Sequence, residues 1–132
     1  MFNLLTPLIP TEAELISSIE YRVNPDKRTV TAIMSNTSFA AVDALERHYN
    51  GKDTFVWADA ELACALEMPE KLVVTVHCHA DDEFTPDEGI HQAKRKLCKK
   101  LDKERRKAWN RYKNVLVARL DAATKCILKY DR

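Results

Sequence analysis

Apolar and polar residues alternate along residues 18–24 (SIEYRVN), and β-branched residues dominate residues 28–34 (RTVTAIM). A period of two is the mark of a half-buried strand. Between the runs lie Asn24, Pro25, Asp26 and Lys27, all turn formers, so the pair predicts an antiparallel hairpin with Arg22 and Arg28 flanking its turn. The clearest strand pattern is KLVVTVHCH at residues 71–79. Alternation puts Leu72, Val74, Val76 and Cys78 on one face, which is wholly apolar and predicted to meet the core. Val73, Thr75, His77 and His79 share the other face.

Elsewhere the period lengthens to that of a helix. Phe39, Val42, Leu45 and Tyr49 recur at spacings of three and four behind the capping residues Asn36, Thr37 and Ser38, and Asn50-Gly51 closes the run. This predicts a short amphipathic helix over residues 38–49. Residues 59–67 (DAELACALE) add one or two helical turns, stopped by Met68-Pro69.

From Pro86 to Tyr130 almost nothing breaks a helix. Thr85 is a good N-cap, Pro86 suits the first helical position, and Glu88 completes a capping-box pattern. Ile90, Leu97, Leu101, Ala108, Tyr112 and Val115 form one stripe, which then drifts to Leu116, Leu120, Ala123 and Ile127. A straight helix of this length spans roughly 65 Å, more than such a domain needs. Either a bend at residues 110–114 folds it into a helix pair, or its far end leaves the domain to meet another protomer. A long helix that takes part in oligomerisation is the favoured reading. The fold class expected is α+β: a small antiparallel sheet (a hairpin plus one further strand), short helices and a long C-terminal helix or helix pair. The whole chain, 1–132, is read as one domain, with a sheet-containing acidic part (1–85) and a basic helical arm (86–130).

Charge sharpens the picture. Residues 1–93 hold 6 Lys/Arg against 16 Asp/Glu, and residues 94–132 hold 15 against 4. The two parts are therefore expected to face each other, within or between protomers, or the basic part to bind an anion. With 2 glycines in 132 residues there is no Gly-rich phosphate loop. The apolar start MFNLLTPLIP lacks a basic lead and carries two prolines, so neither a signal peptide nor a membrane span is expected. Cys64, Cys78, Cys98 and Cys126 have no zinc or disulfide spacing and read as reduced thiols.

Chemistry concentrates in VVTVHCHADDEFTPDEG, residues 73–89. His77 and His79 could chelate a metal, but no third ligand is specified, so no metal is expected. Alternation turns Cys78 away from both histidines, which argues against a thiol mechanism, and no catalytic residue is expected. On the helix, Lys94 and Arg105 border the apolar seam, where a cation can hold a phosphate in a partly covered pocket. Trp109 lies close by and could stack on a base. Arg95, Arg106 and Arg111 are further, more exposed candidates. Lys96, Lys99, Lys100, Lys103 and Lys107 point away from the stripe and read as a solvated face.

The segment VTVHCHADDEFTPDEGIHQAKRKL resembles small phage-encoded proteins in which a strand, an acidic D-x-F step and a helix opening x-E-x-G follow one another. Asp82, Phe84, Glu88, Gly89, Ala93 and Lys94 carry the likeness. One similar group is the phage proteins that counter the Thoeris defence system. That resemblance implies a protein of the host cytoplasm, assembled as a homo-oligomer, that sequesters a cyclic ADP-ribose-type or cyclic oligonucleotide signal without cleaving it and needs no cofactor or membrane. It implies ligand contacts at Phe84, His91 and Arg95, and further along at Arg105, Trp109 and nearby basic residues such as Lys94 and Arg106. Two alternatives stay open. One is an anti-CRISPR-type inhibitor that binds a host defence nuclease through protein contacts; the other is a nucleic-acid-binding phage regulator. Gly89 costs up to about 1 kcal/mol against Ala in a helix, so something should come close there, either packed neighbours or a ligand phosphate.

Overall fold

The protein is described here from a computed structural model, over residues 9–42 and 59–131. Its hairpin is as the sequence pattern predicts. Strand β1 (Glu20–Asn24) pairs antiparallel with β2 (Thr29–Ser35). Asn24 Oδ1 accepts a hydrogen bond from the Lys27 amide at 3.1 Å, and the Arg28 amide donates to Pro25 O at 3.2 Å. Arg28 takes a left-handed φ of 56°, an uncommon conformation for a long side chain. Strand β3 (Lys71–His77) pairs antiparallel with the other side of β2, giving the order β1-β2-β3. The expected strand 71–79 therefore ends two residues early. Cys78 and His79 lie beyond the strand and a turn follows at residues 80–81, so strand alternation no longer governs Cys78.

Register explains the core. Val30 lies opposite Val76, Ala32 opposite Val74 and Met34 opposite Leu72, so the small and branched residues of two strands share one face. The long helix α3 (Pro86–Lys129) lies across that face and seals it with Ala93, Leu97, Leu101 and Ala108, all fully buried. Each buried leucine contributes about 1.5–3 kcal/mol from surface removed from water. The helix is a single element of 44 residues, roughly 66 Å long, with no break at residues 110–114. The architecture is α+β: a three-stranded antiparallel sheet with short helices and one long C-terminal helix.

One local expectation fails. Thr85 occupies the N-cap of α3, but its side chain makes no capping hydrogen bond, so the capping box read from Thr85 and Glu88 does not form. Pro86 sits in the first turn as expected. Conversely, a real capping box opens helix α1 (Glu12–Ser17), an element the hydrophobic pattern did not reveal. Thr11 Oγ1 accepts from the Glu14 amide at 3.1 Å, and Glu14 Oε1 accepts from the Thr11 amide at 3.2 Å. The helix expected over residues 38–49 falls mostly outside the described residues; residues 38–41 are turn.

Helix α2 (Ala60–Ala65) confirms the short helix read from DAELACALE. It lies along α3 and is strapped to it by arginine at both ends. Arg111 donates to the carbonyls of Ala65 at 3.0 Å and Glu67 at 2.5 Å, meeting the negative end of the short helix. At the other end the N-cap Asp59 accepts from the Leu62 amide and from both Arg119 amino groups, at 2.7 and 2.9 Å. The Arg119 guanidinium holds the Asp59 carboxyl down to about 2. An ordinary aspartate titrates near 3.9, so this group's contribution to stability is complete above about pH 4 and is lost as the pH falls through about 2. Asp59→Asn keeps a capping side chain while removing the charge. It should therefore flatten the acid limb of the thermal midpoint between pH 4 and pH 2 without abolishing the helix, as thermal melts across that range will read out.

Candidate functional site: a groove at the strand–helix junction and an exposed helical arm

The stretch richest in chemistry does form a concavity. Where β3 gives way to α3, a groove of about 520 Å³ is lined by Val30, Val76, His77, Cys78, His79, Asp82, Glu83, Phe84, Thr85, Glu88, Gly89 and Gln92. Arg28 shapes its wall from outside the lining. The guanidinium donates to His79 O at 3.2 Å and to Asp82 O, and it approaches Cys78 Sγ at 3.4 Å. Its own carbonyl accepts from the Cys78 amide at 2.8 Å. One left-handed residue of the hairpin thus fixes the loop 78–83. Sequence reasoning placed Arg28 beside the turn but gave it no role; its partners lie about fifty positions away and left no local signal.

Gly89 lies on the groove where α3 meets β2. A Cβ built there would stand 2.6 Å from Val30 Cγ2, closer than real atoms approach. The close approach is therefore made by a packed side chain, and no phosphate is needed to explain the glycine.

The candidate ligand contacts are scattered. Phe84 is half-buried on the groove wall. His91, Lys94, Arg95 and Arg106 are exposed along α3 and outside the lining. Arg105 and Trp109 are engaged within the fold. Arg105 Nε donates to Ala40 O at 3.4 Å, and its Nη1 lies 3.3 Å from Glu12 and 3.7 Å from Asp102. Its side chain is only 17% exposed, so its structural role is to pin α1 and the 37–42 turn to α3. Trp109 Nε1 donates to Ala41 O at 3.2 Å, and the ring meets Tyr112 edge-on at 5.0 Å. Lys100, read as solvated, is half-buried and donates to Val73 O at 2.9 Å on the outer edge of β3. The charge split is thus satisfied in part inside the protomer, through Arg105 with Glu12 and Arg119 with Asp59 and Glu61.

The groove itself carries Asp82, Glu83 and Glu88 and no Lys or Arg in its lining. Its field opposes a phosphate. No group of three or more metal-ligating side chains occurs among the described residues. Burial pushes the Cys98 thiol up, with Glu12 and Asp102 opposing the pull of Lys94 and Arg105. That keeps it protonated and a poor nucleophile.

The second feature is the end of α3. Val115 still packs against the core, and beyond it the apolar stripe becomes surface. Leu116 is 41% exposed, Leu120 66%, Ile127 68%, Leu128 61% and Tyr130 82%. None of this reaches membrane-spanning character: among the described residues no helix is long and apolar enough to cross a bilayer.

Comparison with protein families, with curated proteins and with solved structures finds no match to this chain.

Proposed function

We propose that the protein is a non-enzymatic binding protein that works as an assembly of copies, with the end of α3 as the assembly element. The exposed stripe from Leu116 to Tyr130 carries this reading. A helix end in water gains little from propensity alone, and helices in proteins are held chiefly by burying an apolar face. Contiguous exposed apolar surface of this kind marks an interaction site. Counter-defence in a phage-infected host is the setting that the resemblance supplies. In sedimentation velocity the protein should run as a species heavier than its 15.2 kDa chain. Leu120→Asp with Ile127→Asp should return it to that mass with its thermal midpoint little changed. A wild-type chain that stays monomeric throughout the micromolar range removes this reading.

Capture of a small signal is the second reading, favoured by the groove. Its volume falls within the roughly 300–1,000 Å³ usual for small-molecule sites, and Phe84 offers an aromatic wall. The acidic lining dictates the pose. Ribose hydroxyls and base amino groups would donate to Asp82, Glu83 or Glu88. The phosphates would lie outside, toward Arg95, one turn beyond Gln92 on the same helix face. In calorimetry, cyclic ADP-ribose and adenosine should both give heat, with Phe84→Ala abolishing it; silence from both ligands rejects capture in this groove.

A further inference from the structure

The stripe on the arm has a finer order. Lys113, Leu116, Leu120, Ala123, Ile127 and Tyr130 follow one another at alternating steps of three and four, the a/d spacing of a coiled coil. At 100° per residue Leu120 lies about 80° around the helix from Tyr112, which faces the core. Ala123 and Tyr130 lie within about 20° of the Tyr112 direction, so the seam runs on from the core face past the body, where its exposed side chains are open to a second helix. Lys113 and Asp131 fall at its two ends and both are exposed.

Those end charges choose the direction. In a parallel pair, each Lys113 would meet the Lys113 of the other copy, while each Asp131 would lie beside Cys126 of that copy and gain no cation. In an antiparallel pair, lysine meets aspartate at both ends. Helix dipoles also oppose one another favourably in that arrangement. We infer that two copies of this chain pair antiparallel through their arms, with Leu116 opposite Ile127 of the second copy, Leu120 opposite its Ala123, and Lys113 over its Tyr130 and beside its Asp131. This register uses every apolar layer of the stripe. Sliding by one heptad toward the body would require Trp109, already half-buried and bonded to Ala41 O, to serve as a layer. Sliding the other way loses two layers. The overlap of residues 113–130 makes about five turns of paired helix. Such a length is short for a free coiled coil, but here the rest of α3, held on the sheet, supplies the helical nucleus.

The inference rests on the arm being the assembly element, and its test separates the two. With the exposed thiols removed (Cys64→Ser, Cys126→Ser), Val117→Cys and Thr124→Cys are introduced together and oxidised mildly. Antiparallel pairing joins position 117 of one copy to position 124 of the other, seen as a covalent dimer whose linked peptides are read by mass spectrometry. A charge cycle accompanies it. Lys113→Asp or Asp131→Lys alone should weaken the dimer roughly three- to tenfold in sedimentation equilibrium, and the two together should restore it. Ala123→Cys alone linking to itself, with no recovery in the charge cycle, would mean a parallel pair and overturn the inference while leaving assembly through the arm intact. A dimer that yields no 117–124 link and ignores both charge changes overturns it as well. A chain that never dimerises removes the assembly reading itself.

Discussion

Leu101→Ala is expected to lower the unfolding free energy by about 2–5 kcal/mol, because it opens a cavity under a rigid roof. Leu101 is completely buried between the middle of α3 and the sheet. Its neighbours along the seam, Leu97 and Ala108, are equally buried and belong to the same straight helix, so the site has little freedom to collapse. A loss of that size is a large part of the roughly 5–15 kcal/mol that holds a small domain together. The control lies on the same helix. Leu128→Ala removes the same atoms from a position 61% exposed and should stay within about 0.5 kcal/mol when measured in the Ile127→Asp background, where the arm is unpaired. Urea unfolding of the two variants with unchanged slopes would establish the contrast. Equal losses at Leu101 and Leu128 would mean that the arm is as buried as the body, and the view of α3 as half core, half projection would be wrong.

Gly89→Ala is expected to destabilise although alanine is the better helix former. Its Cβ would stand 2.6 Å from Val30 Cγ2. Val30 is 1% exposed and its side chain is stiff in a strand, so relief requires the helix to lift off the sheet. Overpacking of this kind costs about 1–3 kcal/mol, against about 1 kcal/mol gained in helix propensity. The net loss should be up to about 2 kcal/mol. Val30→Ala alone should cost about 2–3 kcal/mol by leaving a cavity. The two together should cost clearly less than their sum, because the new methyl enters the space the old one left. Strict additivity would show that Gly89 is required for something other than its contact with Val30.

Much of the fold was legible because its elements announce themselves over short distances. The hairpin shows in SIEYRVN and RTVTAIM around a turn of Asn, Pro and Asp. The start of α3 shows in Pro86, and its core stripe in Leu97, Leu101 and Ala108. Helix α1 was missed even though its signal, Thr11 with Glu14 three residues on, was present; six residues are too few to display a helical period beside it. The same capping pattern at Thr85 and Glu88 was legible but not used, since a cap pattern states what a side chain can do and its neighbours decide whether it does.

The candidate site was less legible, because its residues are defined by partners far along the chain. Cations at the margin of an apolar stripe are ligand candidates on sequence grounds alone. In the fold, Arg105 and Arg111 donate to carbonyls of Ala40, Ala65 and Glu67, and Arg119 to the carboxylate that caps α2. A surplus of positive charge on one helix is visible in composition, whereas its destination depends on which carbonyls and carboxylates the fold brings within about 3 Å. The groove has the same origin. Phe84, Glu88 and the histidines belong to one stretch, but Val30 behind them and Arg28 at their wall come from the hairpin.

By itself, the sequence determined the kinds of element, the core face of each and the excess length of α3, because periodicity, turn chemistry and propensity act within a few residues. Only the tertiary structure decided where the helix stops being core and becomes an exposed arm, which charges are consumed inside the protomer, and that the groove at the junction is acidic. Those outcomes depend on contacts between residues tens of positions apart, and the free energy of such a contact is fixed by the approach of the two surfaces.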